Sequence, residues 1–162
     1  MLKFVQKKLK EEKGLTLIEL LAVIVILGII AAIAIPAIGN VIENSRYNAV
    51  KSDALNALSA ANIYFAEHSD KSTVSIADLE EGYLDSAGKL DDAAGGEGTT
   101  NQIAKTDGTL SITTGAIVFS GTKSVQFNGA TVESINGDPT NGSSIDDGAT
   151  KEITDAIPTE ES

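Results

Sequence analysis

The chain has 162 residues, a formal net charge of −11 and no cysteine, which excludes disulfides, thiolate metal sites and thiol nucleophiles. Four Phe, three Tyr and no Trp leave room for one modest, mostly aliphatic core beside any membrane segment. The charge is divided: residues 1–14 carry five Lys and two Glu, while residues 15–162 hold seven basic and 21 acidic side chains. So acidic a subunit repels phosphate and is not expected to bind nucleic acid in isolation.

Lys3, Lys7, Lys8, Lys10 and Lys13 make the first 14 residues a basic leader. From Leu20 to Gly39 no side chain is charged, and about 20 such residues suffice for a helix to cross a hydrocarbon core roughly 30 Å thick. Basic residues ahead of a first apolar helix stay in the cytoplasm, which predicts a single-pass, N-in/C-out segment. An ordinary secretory signal peptide is the competing reading, since Ala32-Ile33-Ala34 fits a small-x-small cut. It fits poorly. Pro36 lies just behind that cut, and the run exceeds the roughly 7–15 apolar residues of a signal core. Glu19 also stands at its edge, and a carboxylate at the end of a membrane span usually marks a partner or a function. Alone, it also reads as an interfacial Glu reaching water.

Gly14-Leu15-Thr16-Leu17-Ile18-Glu19-Leu20-Leu21 resembles the N-terminal motif of type IV pilins and pseudopilins, the class III signal group. The detailed likeness covers residues 8–45. It implies that a prepilin peptidase cuts between Gly14 and Leu15 on the cytoplasmic side and methylates the new amino group of Leu15. Phe is the commoner residue at that position, so Leu15 is a mild departure. The resemblance also implies that Glu19 is paired in the filament by the Leu15 ammonium of a neighbouring subunit. Breaking one side of such a desolvated pair costs roughly 3–5 kcal/mol, enough to set register. Gly28 and Pro36 occupy positions between which the family's helix can unwind on assembly. Pro36 leaves the Ala32 carbonyl without its donor, and Gly28 costs about 1 kcal/mol relative to Ala.

Beyond Pro36 the pattern turns amphipathic. Tyr47, Val50, Ala54, Ala57, Leu58, Ala61, Tyr64 and Phe65 recur at three- and four-residue steps as one apolar stripe, with Glu43, Arg46, Lys51, Asp53 and Asn56 mostly off it. One helix from Leu15 to Glu67 would be roughly 80 Å long, with residues 15–39 membrane-embedded before assembly and residues 40–68 forming one wall of a head. His68, the one histidine, reads as a cation near the helix C-terminus or a solvated residue. Ser75 with Asp78 predicts a capped short helix stopped near Gly82. Its Asp78-Leu79 and Gly82-Tyr83-Leu84 resemble the connecting segment of many pilins, which places Leu79, Tyr83 and Leu84 against the long helix. Asp91 to Asn101 is Gly-rich but lacks phosphate-loop spacing, so residues 69–108 read as a connection with a short helix and a surface loop.

Strands are expected from Thr109. Alternation at Leu110/Ile112, Ile117/Phe119 and Val125/Phe127, continued by Val132, predicts an antiparallel meander over 109–136. Gly121-Thr122-Lys123 and Asn128-Gly129 supply the turns. Residues 137–162 are polar and read as a tail or a last strand. Asp91-Asp92 and Asp146-Asp147 invite a calcium reading, but no spaced loop pattern accompanies them, and no metal or cofactor is expected. The fold class is therefore α+β: a long N-terminal helix packed on a small antiparallel sheet, the type IV pilin fold.

No catalytic constellation is present, so an enzyme is not expected. The resemblance implies a prepilin that polymerises into an extracellular pilus serving adhesion, motility or DNA uptake. Its partners would be copies of itself, the peptidase, and the inner-membrane platform with its assembly ATPase. It would lie in the cytoplasmic membrane before assembly and at the cell surface afterwards. A pseudopilin of a type II secretion or competence system is the alternative, and a membrane-anchored binding domain without processing is a third.

Overall fold

The computed structural model describes residues 17–93 and 101–155, and the chain divides into two units, residues 1–39 and 40–162. Helix α1 runs Leu17–Glu67 without a break and holds Pro36 inside it. In the first unit its side chains are exposed apart from half-buried Ala34. Within an apolar segment a helix is the conformation that satisfies every backbone polar group internally. The one carbonyl orphaned by Pro36 does not stop it.

In the second unit α1 buries the face formed by Tyr47, Val50, Ala54, Ala57, Leu58, Ala60, Ala61 and Phe65, with Tyr64 half-buried. This is the stripe its spacing predicts. Four alanines in it let other elements approach closely. The face joins one core that also contains Val74, Ile76, Leu79, Ile103, Ile112, Ile117, Val125, Phe127, Ile135 and Ile153.

Two three-stranded sheets complete the head. The first is antiparallel, in the order β1 (Thr73–Ser75), β2 (Gln102–Thr106), β3 (Thr109–Thr113). The second has the order β4 (Ile117–Ser120), β5 (Lys123–Asn128), β6 (Thr150–Thr154). Its β4–β5 pair is antiparallel and its β5–β6 pair parallel. A reciprocal pair of backbone bonds between Ile112 and Ala130 links the two sheets. Helix α2 (Ile76–Glu80) is capped by Ser75, whose hydroxyl accepts from the Asp78 amide, as the spacing predicts. Leu79 is buried, and Tyr83 and Leu84 pack on the core. Helix α3 (Val132–Gly137) starts with a reciprocal capping box between Thr131 and Ser134.

The α+β class with a long apolar-to-amphipathic helix stands, but the sheet differs from a single meander over 109–136. Strand β2 pairs with β3 through Asp107-Gly108, both with positive φ (50° and 86°), the backbone of a type I′ turn. Asn128-Gly129 makes no hairpin. Gly129 turns the chain at φ 65° toward Thr131, which caps α3, so Val132 begins a helix rather than a strand. The last strand is present and pairs parallel to β5 after the connection through α3. Of the Gly-rich loop, residues 94–100 lie outside the described residues, while Gly88–Asp92 forms a 3-10 turn with buried Leu90.

Candidate functional site

Two regions carry the chemistry. The first is the N-terminal part of α1. Glu19 lies in its first turn, where the helix dipole favours a carboxylate. Large apolar side chains follow in exposed positions, among them Ile33 at 71% and Ile35 at 70%. So extended an apolar surface belongs in lipid or against other helices. A Cβ added at Gly28 or at Gly39 would meet nothing within 4 Å, and α1 is continuous through Gly28 and Pro36. Gly14 and Leu15 lie outside the described residues.

The second region holds the C-terminal part of the head against α1. Asp138, just past α3, has a side chain only 5% exposed. Its Oδ2 accepts from the Tyr47 hydroxyl at 2.6 Å and from Lys51 Nζ at 3.4 Å, and its Oδ1 accepts from the Thr140 hydroxyl at 2.7 Å. Lys151 Nζ stands 3.6 Å from Oδ1, and Lys51 also donates to the Asp138 carbonyl at 3.1 Å. Burial opposes the charge on this carboxyl. The Tyr47 hydroxyl, Thr140 and the two ammoniums outweigh burial and hold it below the usual carboxylate range. Burial, and then the Asp138 carboxylate, push the Tyr47 phenol well above its ordinary value.

One turn earlier on α1, Glu43 accepts from Lys123 Nζ at 2.9 Å, and this bond holds its carboxyl below the usual range. Asn44 Oδ1 accepts from the Ser143 amide at 2.8 Å. Gly142 sits so close to the helix that a Cβ there would lie 2.6 Å from Tyr47 Cβ and 2.7 Å from the Glu43 carbonyl oxygen. Only glycine fits.

At the far end of α1, Tyr64 stacks on His68 with ring centroids 4.4 Å apart and meets Tyr83 edge-on. His68 Nδ1 lies 3.1 Å from the Tyr64 carbonyl oxygen, so the histidine is a packing residue. Among the described residues no group of three or more His, Asp or Glu side chains converges on a metal position. Asp92 instead pairs with Lys89, and Asp146 and Asp147 are exposed in the loop before β6.

Sequence reasoning singled out Glu19, Gly28 and Pro36, and α1 carries all three. It missed Asp138, Thr140, Lys151, Lys123 and Gly142. No local pattern marks a carboxylate whose donors come from positions 47, 51 and 151. Chemically, the described residues offer an apolar helix surface and a clamped, acidic head. Residues 9–35 match the family model for the prokaryotic N-terminal methylation motif. No curated protein matches the chain, and no solved structure does. The matched motif is the class III signal of type IV pilins and pseudopilins, and its second half lies on the exposed apolar start of α1.

Proposed function

We propose that the chain is a prepilin, a structural subunit of a type IV pilus rather than an enzyme. The observation that carries this is the methylation motif at residues 9–35 running directly into an apolar, exposed helix surface. A prepilin peptidase removes residues 1–14 and methylates Leu15. The segment 15–39 holds the subunit in the cytoplasmic membrane, head outward, until the platform and its ATPase move it into the filament. There the same apolar surface packs against the helices of other copies, and each Glu19 accepts the Leu15 ammonium of a neighbour. Gly28 and Pro36 are the weak points at which the helix unwinds as it leaves lipid.

Mass spectrometry of the membrane-extracted protein tests this reading. The expected N-terminus is Leu15 carrying one methyl group, and a chain retaining Met1 would overturn it. A pseudopilin of a secretion or competence system is favoured only by the generality of the motif. The polar loops between β5 and β6 fit an exposed pilus surface better than a minimal head. Electron microscopy of material sheared from cells separates long surface filaments from short ones confined to the envelope.

A further inference from the structure

The cations of the head are mostly occupied. Lys51 and Lys151 serve Asp138, Lys123 serves Glu43, and Lys89 pairs with Asp92. Arg46 is different. It is exposed on α1, makes no hydrogen bond or ion pair among the described residues, and acts on Glu43 only through its longer-range field. Arg46 lines a cleft of about 380 Å³ whose walls include Ala49, Val118, Phe119 and Lys89, with Val118 49% exposed on β4. An arginine fork beside an apolar wall is suited to a carboxylate presented on a small helix. Asp146 and Asp147 border the β4–β5 turn through the bond from the Gly148 amide to Thr122. Lys89, the other cation at this cleft, is paired with Asp92, which leaves Arg46 as the cation there without an ion pair among the described residues and favours one placed carboxylate over a polyanion.

Such carboxylates lie at the other end of the same head. Helix α2 buries Ile76 and Leu79, and its Asp78 and the Glu81 that caps its C-terminal end are exposed. Three residues apart, these two share one helical face. Glu80 is engaged, accepting from the Ala87 amide. The hydroxyl of Tyr83 donates to Glu67, seating this acidic cap beside the last residue of α1. Arg46 and Glu67 are 21 residues apart on one helix, about 30 Å at 1.5 Å per residue.

We propose that the Arg46 cleft receives the Asp78/Glu81 face of α2 from a second copy of the chain. Two different patches at opposite ends of one head make a heterologous, head-to-tail contact. Repetition of such a contact produces an open helical filament rather than a closed dimer. The pairing also relieves the repulsion between heads whose chains carry 21 acidic against seven basic residues beyond position 14. The inference rests on the filament reading and adds to it the contact by which successive heads engage.

The absence of cysteine allows a direct test in the full chain expressed in cells that assemble it. Arg46→Cys combined with Glu81→Cys, oxidised in sheared filaments, is expected to give a ladder of covalent multimers. Either single variant can give a dimer at most. In parallel, Arg46→Glu is expected to lower filament yield roughly tenfold, and adding Glu81→Arg to restore it, with an unchanged N-terminus at Leu15 in every variant. Filaments without a ladder, or a double variant that stops at dimers, would overturn the head-to-tail contact. Loss of yield in Arg46→Glu with neither ladder nor restoration would mean a different acidic partner and overturn the second-copy assignment. A wild-type chain that keeps Met1 and forms no filament sinks the pilin reading instead.

Discussion

The hydroxyl of Tyr47 on α1 donates to the carboxylate of Asp138 at 2.6 Å across 91 positions of chain. This bond, with those from Lys51 and Thr140, ties the C-terminal third of the head to the helix. Removing the phenol oxygen leaves the carboxylate in place with one strong donor fewer. Tyr47→Phe is expected to cost roughly 2 kcal/mol, the worth of a hydrogen bond to a charged group. Asp138→Ala, which strands Lys51 and the phenol together, should cost more, roughly 3–5 kcal/mol. Chemical denaturation of the detergent-solubilised full chain reads both, and equal losses would contradict the hub role of Asp138.

The same carboxylate sets the acid limit of the head. Asp138 and Glu43 are both held below the ordinary carboxylate range. The unfolded chain therefore binds more protons than the folded one in the window just below pH ~4. Stability from these groups is fully present above that pH and is lost as pH falls through their depressed folded values. Thermal midpoints measured between pH 7 and 2 should drop on the acid side, and Asp138→Asn should flatten that limb while lowering the neutral value.

Tyr47 and Tyr83 shift the other way. Burial and Asp138 raise the first, and the hydrogen bond to Glu67 leads in raising the second. Their contribution is complete below the ordinary phenol value near pH 10 and declines as pH rises toward the folded values. A thermal series from pH 8 to 11.5 should show this decline in the wild type. Tyr47→Phe should make it shallower; an unchanged alkaline slope would refute the assignment.

Gly142 and Gly137 make a matched pair. A methyl group at Gly142 collides with helix backbone at Glu43, whereas one at Gly137 meets nothing within 4 Å. Gly142→Ala is expected to destabilise the head by about 1–3 kcal/mol or more. Gly137→Ala, at the end of α3, should be close to neutral. Thermal denaturation of the two variants side by side decides the point.

Glu19→Ala tests the assembly segment. The Gly14–Leu15 bond should still be cut, because the leader is untouched, while filament yield falls sharply. Normal yield would refute the pairing of Glu19 with a neighbour's amino group. Glu19→Asp, with a shorter reach, is expected to fall between.

What could be read in the chain depended on how local its cause is. The α1 stripe was legible because Tyr47, Val50, Ala54, Ala57, Leu58, Ala61 and Phe65 follow the period of one helix. The Ser75 cap was legible because its partner is three residues away. The turn at Asp107-Gly108 is legible in principle, since Asp-Gly is as strong a hairpin pair as Asn128-Gly129. That second pair has the same chemistry, but the bridge from Ala130 to Ile112 and the Thr131 cap give it another use. The parallel pairing of β5 with β6 joins residues 26 positions apart, and Tyr47 and Lys51 reach Asp138 across 91 and 87 positions. Only the folded chain brings them together.

The clamp around Asp138 is ionic and hydrogen-bonded throughout, in a chain with no sulfhydryl to oxidise. Its closure therefore requires no electron acceptor, no thiol oxidase and no disulfide reshuffling. The head can complete itself in reducing or oxidising surroundings alike, and once opened it can close again without an enzyme.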